Sequence, residues 1–462
     1  MIRFKRRLCA SLVICAAAQL FIGQGVPAVV AQDTTRLLAG PMLGYVEHRE
    51  ALIWLLVTDK VKEVSIRYYP KDQAQQAQQV RQTVTADGPY RPVKVVLPFL
   101  RMGTTYVYEV LLDGQRQVFP YPLQFQTKAI WEFRTDPPAF SFLAGSCMYI
   151  NEQESDRPGK PYGRDVRILD SMAREQAQLM LWLGDNIYLR EGDWTSRSGF
   201  IYRYMHTRKT RALQALLAAQ PNLYVWDDHD FGPNDANSSF VLKETALDVF
   251  REFTGNPTYG ESSNPGTYTR YVFSDCEFFL LDGRSYRSAE DLDSLAADKY
   301  YLGPQQMQWL KNGLMYSKAS FKFIVSGTQV LDPYNRFESV RHYKREFDEL
   351  MDFIVRHRIK GVIFLTGDRH YSDIIRWTPA GGYPLYDITS SALTSGSAQS
   401  AKSRPDSEHP YRVVPEGVID QNYIKVTVTG VRKDRVATVQ CKTVDGRLAW
   451  QYVIRQTELD WK

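Results

Sequence analysis

Short apolar runs separated by polar turn segments organise most of this 462-residue chain. From residue 36 to about residue 130 the runs are rich in Val, Ile, Tyr and Thr, which is typical of β-strands. They read ALIWLLVTD, EVSIRYYP, RPVKVVLP and TTYVYEVLLDG. Their spacing predicts an all-β sandwich over 36–130. The stretch TKAIWEFRTDPP (127–138) is expected to be the linker to the rest of the chain.

The pattern changes after the linker, because apolar strand-like runs now alternate with helical periodicity. This alternation predicts a layered α/β domain over 138–462. The helical stretches are VRILDSMAREQ, RKTRALQALLAA, LKETALDVFREF, PQQMQWLKNGL and YKREFDELMDFIVRH. Near the end, VTVTGV and VATVQCK predict a hairpin pair.

Residues 1–31 predict a cleavable export signal and not part of the fold. Four basic residues precede an apolar run, and small residues precede a cut before Gln32. A membrane anchor is the alternative, but the run is short for a span. We therefore expect a secreted or periplasmic protein with no transmembrane anchor after processing. The leader has four basic residues and no acids, so its loss lowers the net charge from +5 to +1. This near-neutral charge indicates no nucleic-acid partner.

Side chains able to bind metal recur at or just beyond the ends of apolar runs in the α/β region. Ligands of open α/β sheets bind at the carboxyl ends of the strands, so these residues are expected to converge. The pattern therefore predicts a metal site built from separate strands. Its candidate members are Cys147, Asp185, Tyr188, Asp228, His229, Asp368 and His370.

Three of these residues suit particular ligand roles. Without the leader the chain keeps three cysteines, so at least one thiol is unpaired, and Cys147 is expected to be a free thiolate ligand. A buried thiol, or a disulfide with Cys276, is the alternative. Asp185 has two carboxylate oxygens and can bridge two ions. Tyr188 offers a phenolate, a hard ligand that suits ferric iron, unless it is only an aromatic residue at the rim.

The segment Asp227-Asp228-His229-Asp230 concentrates negative charge. Such carboxylates repel one another unless cations neutralise them, although a solvated acidic loop remains possible as the alternative. The acidic neighbours are expected to raise the pKa of His229 and keep a proton available for general acid catalysis. In GDRH, Asp368 and His370 can each bind one ion of a pair.

Arg284 and Arg287 follow another apolar run, where guanidinium groups can clamp phosphate oxygens. A structural Arg–Asp pair is the alternative. The chain has no GxSxG elbow, no phosphate-binding P-loop and no Rossmann glycine fingerprint. Serine hydrolase, nucleotide kinase and NAD-dependent functions therefore have no support.

Taken together, several motifs resemble the alkaline phosphatase D (PhoD-like) family of calcineurin-like metallophosphatases. The motifs are GSC (145–147), WLGDNIY (182–188), WDDHD with GPND (226–235), LDGRSYR (281–287), YLGPQQMQWL (301–310), VSGTQV (325–330) and GDRHYSDI (367–374). The resemblance implies an immunoglobulin- or fibronectin-like N-terminal sandwich, an α/β metallophosphatase domain, and Fe³⁺ and Ca²⁺ as cofactors.

The resemblance also implies a role for each matching residue. Cys147, Tyr188 and His370 match the iron ligands, and Asp185 matches the bridging carboxylate. Asp368 and Asn234 match ligands on the calcium side. Asp228 and His229 occupy the places of the Asn-His pair of the wider superfamily.

The expected protein is a monomeric, secreted phosphoesterase in which a hydroxide bound to the ions attacks the phosphorus of a small-molecule or lipid phosphate ester. Two alternatives stay open: a phosphodiesterase or phospholipase-D-like activity, and a glycan-binding surface protein with structural metals. The segment DPYNRFESVRHYKREF lacks the Gly/Trp/Asp-rich loop often present at this place in the family. The substrate preference is therefore open.

Overall fold

The computed structural model describes residues 35–85, 88–397, 409–415 and 417–461. The expected export signal, 1–31, lies outside the described residues.

The N-terminal region consists of two antiparallel sheets. Its strands are β1 (Leu37–Val46), β2 (Ala51–Thr58), β3 (Glu63–Pro70), β4 (Gln78–Thr83), β5 (Tyr90–Leu97), β6 (Thr105–Leu112), β7 (Gln115–Arg116) and β8 (Gln124–Gln126). One sheet has the order β1-β2-β5, and the other has the order β4-β3-β6-β7, with β8 pairing β6. The four predicted runs are β2, β3, β5 and β6.

Strand β2 is buried on both of its faces, which explains its continuous apolar run. Ile53 and Leu55 belong to the core that the two N-terminal sheets share. Trp54 and Leu56 point the other way and pack with residues of the α/β region. The Trp54 indole also donates a hydrogen bond to the carbonyl of Glu252, at 2.8 Å. The immunoglobulin-like assignment stays a prediction.

The α/β region begins at Phe140 and carries two large sheets. Its strands are β9 (Phe140–Gly145), β10 (Met180–Leu183), β11 (Asn222–Val225), β12 (Gly260–Glu261), β13 (Asn264–Pro265), β14 (Thr269–Phe273), β15 (Cys276–Leu280), β16 (Phe321–Val325), β17 (Val362–Thr366), β18 (Asp373–Trp377), β19 (Leu385–Thr389), β20 (Asn422–Thr429), β21 (Val436–Thr443) and β22 (Leu448–Arg455). The sheet orders are β11-β10-β9-β20-β21-β22 and β14-β15-β16-β17-β19-β18, and β12 pairs β13. The predicted hairpin pair is β20–β21, which pairs antiparallel.

Helices cover the outer faces of the two sheets. They are α1 (Arg167–Arg174), α2 (Arg197–Arg208), α3 (Arg211–Ala219), α4 (Asp228–Phe231), α5 (Lys243–Phe253), α6 (Pro304–Tyr316) and α7 (Lys344–Arg356). Residues of α1, α2, α3 and α5 pack on the first sheet, and those of α6 and α7 pack on the second. The inner faces meet where the ring of Phe142 lies 5.2 Å from those of Phe278 and Phe323. The layers therefore run helix, sheet, sheet, helix, which confirms the predicted layered α/β architecture.

The parallel strands of both sheets end at one common edge. β9, β10 and β11 run parallel in the first sheet, and β15, β16 and β17 run parallel in the second. The backbones that follow these strands touch across the gap between the sheets. A Cβ built on Gly367, after β17, would lie 2.4 Å from the carbonyl oxygen of Leu183, at the end of β10. The predicted site residues lie along this edge.

Candidate metal centre

The chain turns sharply immediately after β9, β10 and β17. Cys147, Asp185, Asp368 and His370 have φ of 62°, 52°, 67° and 56°. Non-glycine residues seldom adopt this left-handed region, and where they do, the strain often marks a functional site. Side chains along a strand alternate between the two faces of its sheet. These turns interrupt that alternation, so the four side chains point in directions that a continued strand would not give them.

Glycine permits the closest of these approaches. Gly184 has φ 89°, and a Cβ there would lie 2.7 Å from Cβ of Asp227. A Cβ on Gly327 would lie 2.6 Å from Cγ of the same aspartate. Real Cβ atoms do not come so close, so both positions need glycine. Gly184 lets the ends of the neighbouring strands β10 and β11 meet, and Gly327, after β16, lets the second sheet approach the first.

Two groups of possible ligand atoms converge at this edge and share one carboxylate. Cys147, Asp185 and His370 form the first group, and Asp185, Asp228 and His229 form the second. Within each group the ligand atoms lie within 4.8 Å of one another. Asp185 therefore stands where a carboxylate bridging two ions is expected.

Tyr188 adjoins the first group through its hydroxyl. Its Oη lies 3.2 Å from Nε2 of His370. The Cys147 thiol lies 3.5 Å from Oδ2 of Asp185 and accepts a hydrogen bond from Ser391 Oγ at 3.1 Å. Cys147, Cys276 and Cys441 are all free and buried, so the alternative of a disulfide between Cys147 and Cys276 is wrong.

The donor set fits metal ions. Asp185 is 2% exposed, and its Oδ1 has no hydrogen-bond partner among the described residues. Burial, reinforced by neighbouring carboxylates, raises the pKa of Asp185, and burial with the charge of Asp185 raises the pKa values of Cys147 and Tyr188. Burial and mutual repulsion therefore disfavour the ionised forms of these three acids, and a bound cation would relieve both effects.

His370 is in the protonation state that metal binding needs. Burial, together with the charge of nearby His229, lowers the pKa of His370 to about 4. Its imidazole is therefore neutral near neutral pH, and only a neutral imidazole can donate a nitrogen lone pair to a metal.

His229 differs from the expectation. Its Nε2 lies 3.9 Å from Oδ2 of Asp228, and its ring packs against that of Tyr188 with centroids 4.2 Å apart. Burial lowers the pKa of His229 despite the attraction of Asp228. The predicted rise in pKa was wrong, because the cost of burying the imidazolium outweighs the pull of one carboxylate. The proton on His229 is thus more acidic than expected.

Arg284 and Arg287 are buried in ion pairs. The Arg284 Nε donates to Asp227 Oδ1 at 2.7 Å, and its terminal nitrogens bind Glu338. Arg287 lies 2.7 Å from Glu338 Oε1 and 2.8 Å from Glu290. This geometry matches the alternative of a structural Arg–carboxylate network. Contact of either guanidinium with phosphate stays a prediction.

Replacing Arg284 by methionine is expected to destabilise the protein by about 3–5 kcal/mol, because Asp227 would lose its buried counter-ion and Glu338 would keep only Arg287. Denaturant unfolding of the purified protein measures this change. Arg447→Met is the matched control, because Arg447 pairs with Asp445 on the surface at 3.4 Å. That change should cost less than about 1 kcal/mol. Equal, small losses in both variants would contradict the structural role of Arg284.

Of the two predicted calcium ligands, Asp368 lies outside the converging groups of His, Cys, Asp and Glu side chains, and Asn234 lies at the surface. Asn234 is exposed, and its amide donates to Asp235 Oδ2 at 2.7 Å. Asp368 has one oxygen 3.6 Å from Arg369 Nη1, and burial raises its pKa to about 6. Asp368 is close enough for its charge to raise the pKa of Cys147. Calcium binding by these two residues stays a prediction.

Asp227 and Glu338 are two further acidic residues at the site, and the sequence pattern did not predict a role for either. Asp227, Asp228 and Glu338 form a third group of converging oxygens, with Arg284 among them. The acidic run that contains Asp227 could have indicated its role. Glu338 gives no such signal, because it lies in the segment after GTQV that departs from the family pattern.

The fold and the site together define a metallophosphatase-like α/β protein. The profile of the PhoD-like phosphatase family matches residues 159–432, more than half of the chain. The chain therefore belongs to the PhoD-like phosphatases, a family of hydrolases that act on phosphoric esters. The match begins after Cys147 and includes the other candidate ligands. Residues 34–130 match a domain of unknown function (DUF7800).

A curated relative supports this membership. The chain is 26% identical to alkaline phosphatase D of Bacillus subtilis (strain 168) over 250 residues. The aligned part covers 44% of this chain and 42% of that protein, so the chain spans less than half the length of this relative.

Two solved structures share the fold. A structure of PhoD superposes with a TM-score of 0.76 at 18% identity and covers 92% of both chains. The purple acid phosphatase PPD1 from yellow lupin (Lupinus luteus) seeds superposes with a TM-score of 0.65 at 11% identity. That match covers 90% of this chain and 74% of the lupin protein. Within the described residues, every helix is too short or too polar to span a membrane.

Proposed function

We propose that the protein is an exported, metal-dependent phosphoesterase that hydrolyses small-molecule or lipid phosphate esters at the common strand edge. The observation that carries this proposal is the buried Asp185, whose carboxylate belongs to two converging ligand groups and keeps an oxygen without a partner. Membership of the PhoD-like phosphatases supports the same reaction class.

The finer assignment follows the donor types on each side of Asp185. Cys147, Tyr188 and His370 offer a thiolate, a phenolate and an imidazole, a set that suits Fe³⁺. Asp228, Asp368 and Asn234 would offer hard oxygens, which suit Ca²⁺. Bound there, the ions would supply Lewis acidity that polarises a phosphoryl oxygen and lowers the pKa of a water molecule.

The protein's own residues supply orientation and a proton. His229 stands beside Asp228 with its side chain about a quarter exposed, so it can reach a bound ester and protonate the leaving oxygen. Arg284 would act as a positioning residue, because its guanidinium holds Asp227 and Glu338 next to Asp228. We propose that Arg287 supports Glu338 in the same way.

The purified protein is expected to hydrolyse p-nitrophenyl phosphate, and EGTA should abolish this activity by removing calcium. Added calcium should restore the rate, which a colorimetric assay measures. Recovery with zinc alone would mean a different second metal. A protein that holds its metals, binds glycan and hydrolyses neither this ester nor bis-p-nitrophenyl phosphate would overturn the proposal. Faster turnover of the second compound would indicate a diesterase.

Cys147→Ser is expected to remove the visible colour and most of the activity while the fold persists. A ferric ion bound by a thiolate and a phenolate absorbs visible light through ligand-to-metal charge transfer, and serine is a much weaker donor. Absorption spectra and iron analysis measure the effect. Cys276→Ser is the matched control, because Cys276 is also buried and free but lies outside the ligand groups. A colourless, iron-free wild type with full activity would exclude the iron assignment.

A further inference from the structure

The two ring nitrogens of His370 face different partners. Its Nε2 lies 3.2 Å from Oη of Tyr188 and 3.3 Å from Oγ of Ser395, on the side of the candidate metal centre. Its Nδ1 lies 3.2 Å from Oη of Tyr162. Tyr162 is 43% exposed and therefore stands between the buried ligand group and solvent.

The loop that carries Tyr162 is fixed at the two residues that follow it. The amide of Asn151 donates to the carbonyl of Gly163 at 2.8 Å and accepts from its N–H at 2.8 Å. The next residue, Arg164, donates its N–H to the carbonyl of Thr394 at 2.6 Å. These bonds place the phenol reproducibly against His370.

The aromatic ring of Tyr162 is held as firmly as its backbone. It packs edge-on against Tyr149, with centroids 4.9 Å apart. A Cβ on Gly396 would lie 2.8 Å from Cε2 of the Tyr162 ring, so the neighbouring strand-end loop has glycine where the ring needs room. Such close packing limits the phenol to the direction of His370.

A histidine that binds a metal through Nε2 must carry its proton on Nδ1, because the ligating nitrogen needs a free lone pair. The Nδ1–H group then needs an acceptor, and partners of this kind set the tautomer and the orientation of metal-bound histidines. A phenol oxygen can accept a hydrogen bond as well as donate one. The hydroxyl oxygen of Tyr162, 3.2 Å from Nδ1 of His370, can be this acceptor.

We infer that Tyr162 is a positioning residue of the metal centre: its phenol oxygen accepts the Nδ1–H of His370 and directs Nε2 toward Cys147 and Asp185. The inference rests on the proposed function to the extent that His370 is an iron ligand. Loss of such a partner typically weakens metal affinity about 10- to 100-fold.

Tyr162→Phe tests the inference, because it removes the acceptor and keeps the ring. Tyr149→Phe is the matched control: Tyr149 belongs to the same aromatic cluster, but its hydroxyl donates to Asp156 Oδ1 at 2.7 Å instead. We expect Tyr162→Phe to lower iron affinity about 10- to 100-fold and to shift the visible absorption band. Tyr149→Phe should leave both unchanged.

The tautomer of His370 gives a readout that needs neither metal nor activity. In metal-free protein labelled with ¹⁵N-histidine, the His370 signals can be assigned by their loss in His370→Gln. Wild type and Tyr149→Phe should show the proton on Nδ1, and Tyr162→Phe should show a mixture of tautomers.

The outcomes separate this inference from the proposed function. An iron-loaded, active wild type whose Tyr162→Phe variant matches Tyr149→Phe in affinity, spectrum and tautomer would overturn the inference and leave the function intact. A wild type with the His370 proton on Nε2 would overturn it as well. A wild type that binds no iron and hydrolyses no phosphate ester would instead contradict the proposed function, while the tautomer still tests the hydrogen bond.

Discussion

Asp185→Asn is expected to empty both metal positions at once and to reduce phosphatase activity by more than about 100-fold. The carboxylate of Asp185 belongs to both converging ligand groups, so a single change weakens both ions. An asparagine keeps the shape but brings one carbonyl oxygen and no charge. Replacing a residue that only hydrogen-bonds to a metal ligand lowers metal affinity about 10- to 100-fold. Losing the ligand that both ions share should therefore lower metal affinity by a larger factor. Elemental analysis after gel filtration measures both ions.

The same variant should not unfold the protein. Burial and neighbouring carboxylates raise the pKa of Asp185, so a neutral side chain there relieves repulsion in the metal-free state. Asp248→Asn is the matched control, because it also replaces one aspartate by asparagine, but Asp248 pairs with Arg251 on helix α5 and lies outside both groups. It should retain both ions. If Asp185→Asn loses one ion and keeps the other at full occupancy, Asp185 does not bridge.

His229→Ala is expected to slow alkyl phosphates far more than p-nitrophenyl phosphate. Nitrophenolate leaves without help, whereas an alkoxide needs a proton as the P–O bond breaks. A positioned general acid contributes on the order of 100- to 10,000-fold, and this factor should be lost for the alkyl ester only. Steady-state rates on the two esters, with metal content measured on the same samples, provide the test.

The structure also places His229 in a ligand group with Asp185 and Asp228, so the experiment decides between two roles. Equal losses on both esters, accompanied by loss of metal, would assign His229 to metal binding and exclude the acid role. His357→Ala is a matched control, because His357 is exposed at the end of helix α7, where its ring packs against Phe353, and it lies outside the ligand groups. It should leave both rates unchanged.

The local pattern of apolar and polar residues was sufficient to predict many of the strands and helices. Strands such as β10 and β17 are short apolar runs that a glycine follows directly, and helix α7 has a clear apolar face. Helix α2 was missed because its buried face mixes charged residues with Phe200, Tyr204 and Met205, which breaks the apolar pattern. Arg203 and Arg208 are fully buried there, and Arg203 is neutralised by Asp193 at 2.7 Å. Strand β1 was missed because a Gly-Pro pair interrupts its apolar run.

The site residues divide in the same way, into those that a local sequence pattern indicates and those that it does not. Cys147, Asp185 and His370 could be predicted because each follows the end of a strand directly, and parallel strands of a sheet end together. The role of Glu338 could not, because its partner Arg284 lies 54 residues away and the loop that carries Glu338 has no periodic signal. The lowered pKa of His229 also needs the folded surroundings, since the sequence shows its acidic neighbours but not its burial.

The central strand of the first N-terminal sheet, β2, has consequences for how the chain folds. Its side chains fill two cores at once: Ile53 and Leu55 in one, Trp54 and Leu56 in the other. Cutting the chain at the linker would expose large apolar side chains on both fragments, and exposed apolar surface of this kind promotes aggregation. The two regions are thus thermodynamically coupled. A substitution far from the strand edge, at Trp54 for example, changes the population of molecules in which the catalytic region is folded at all.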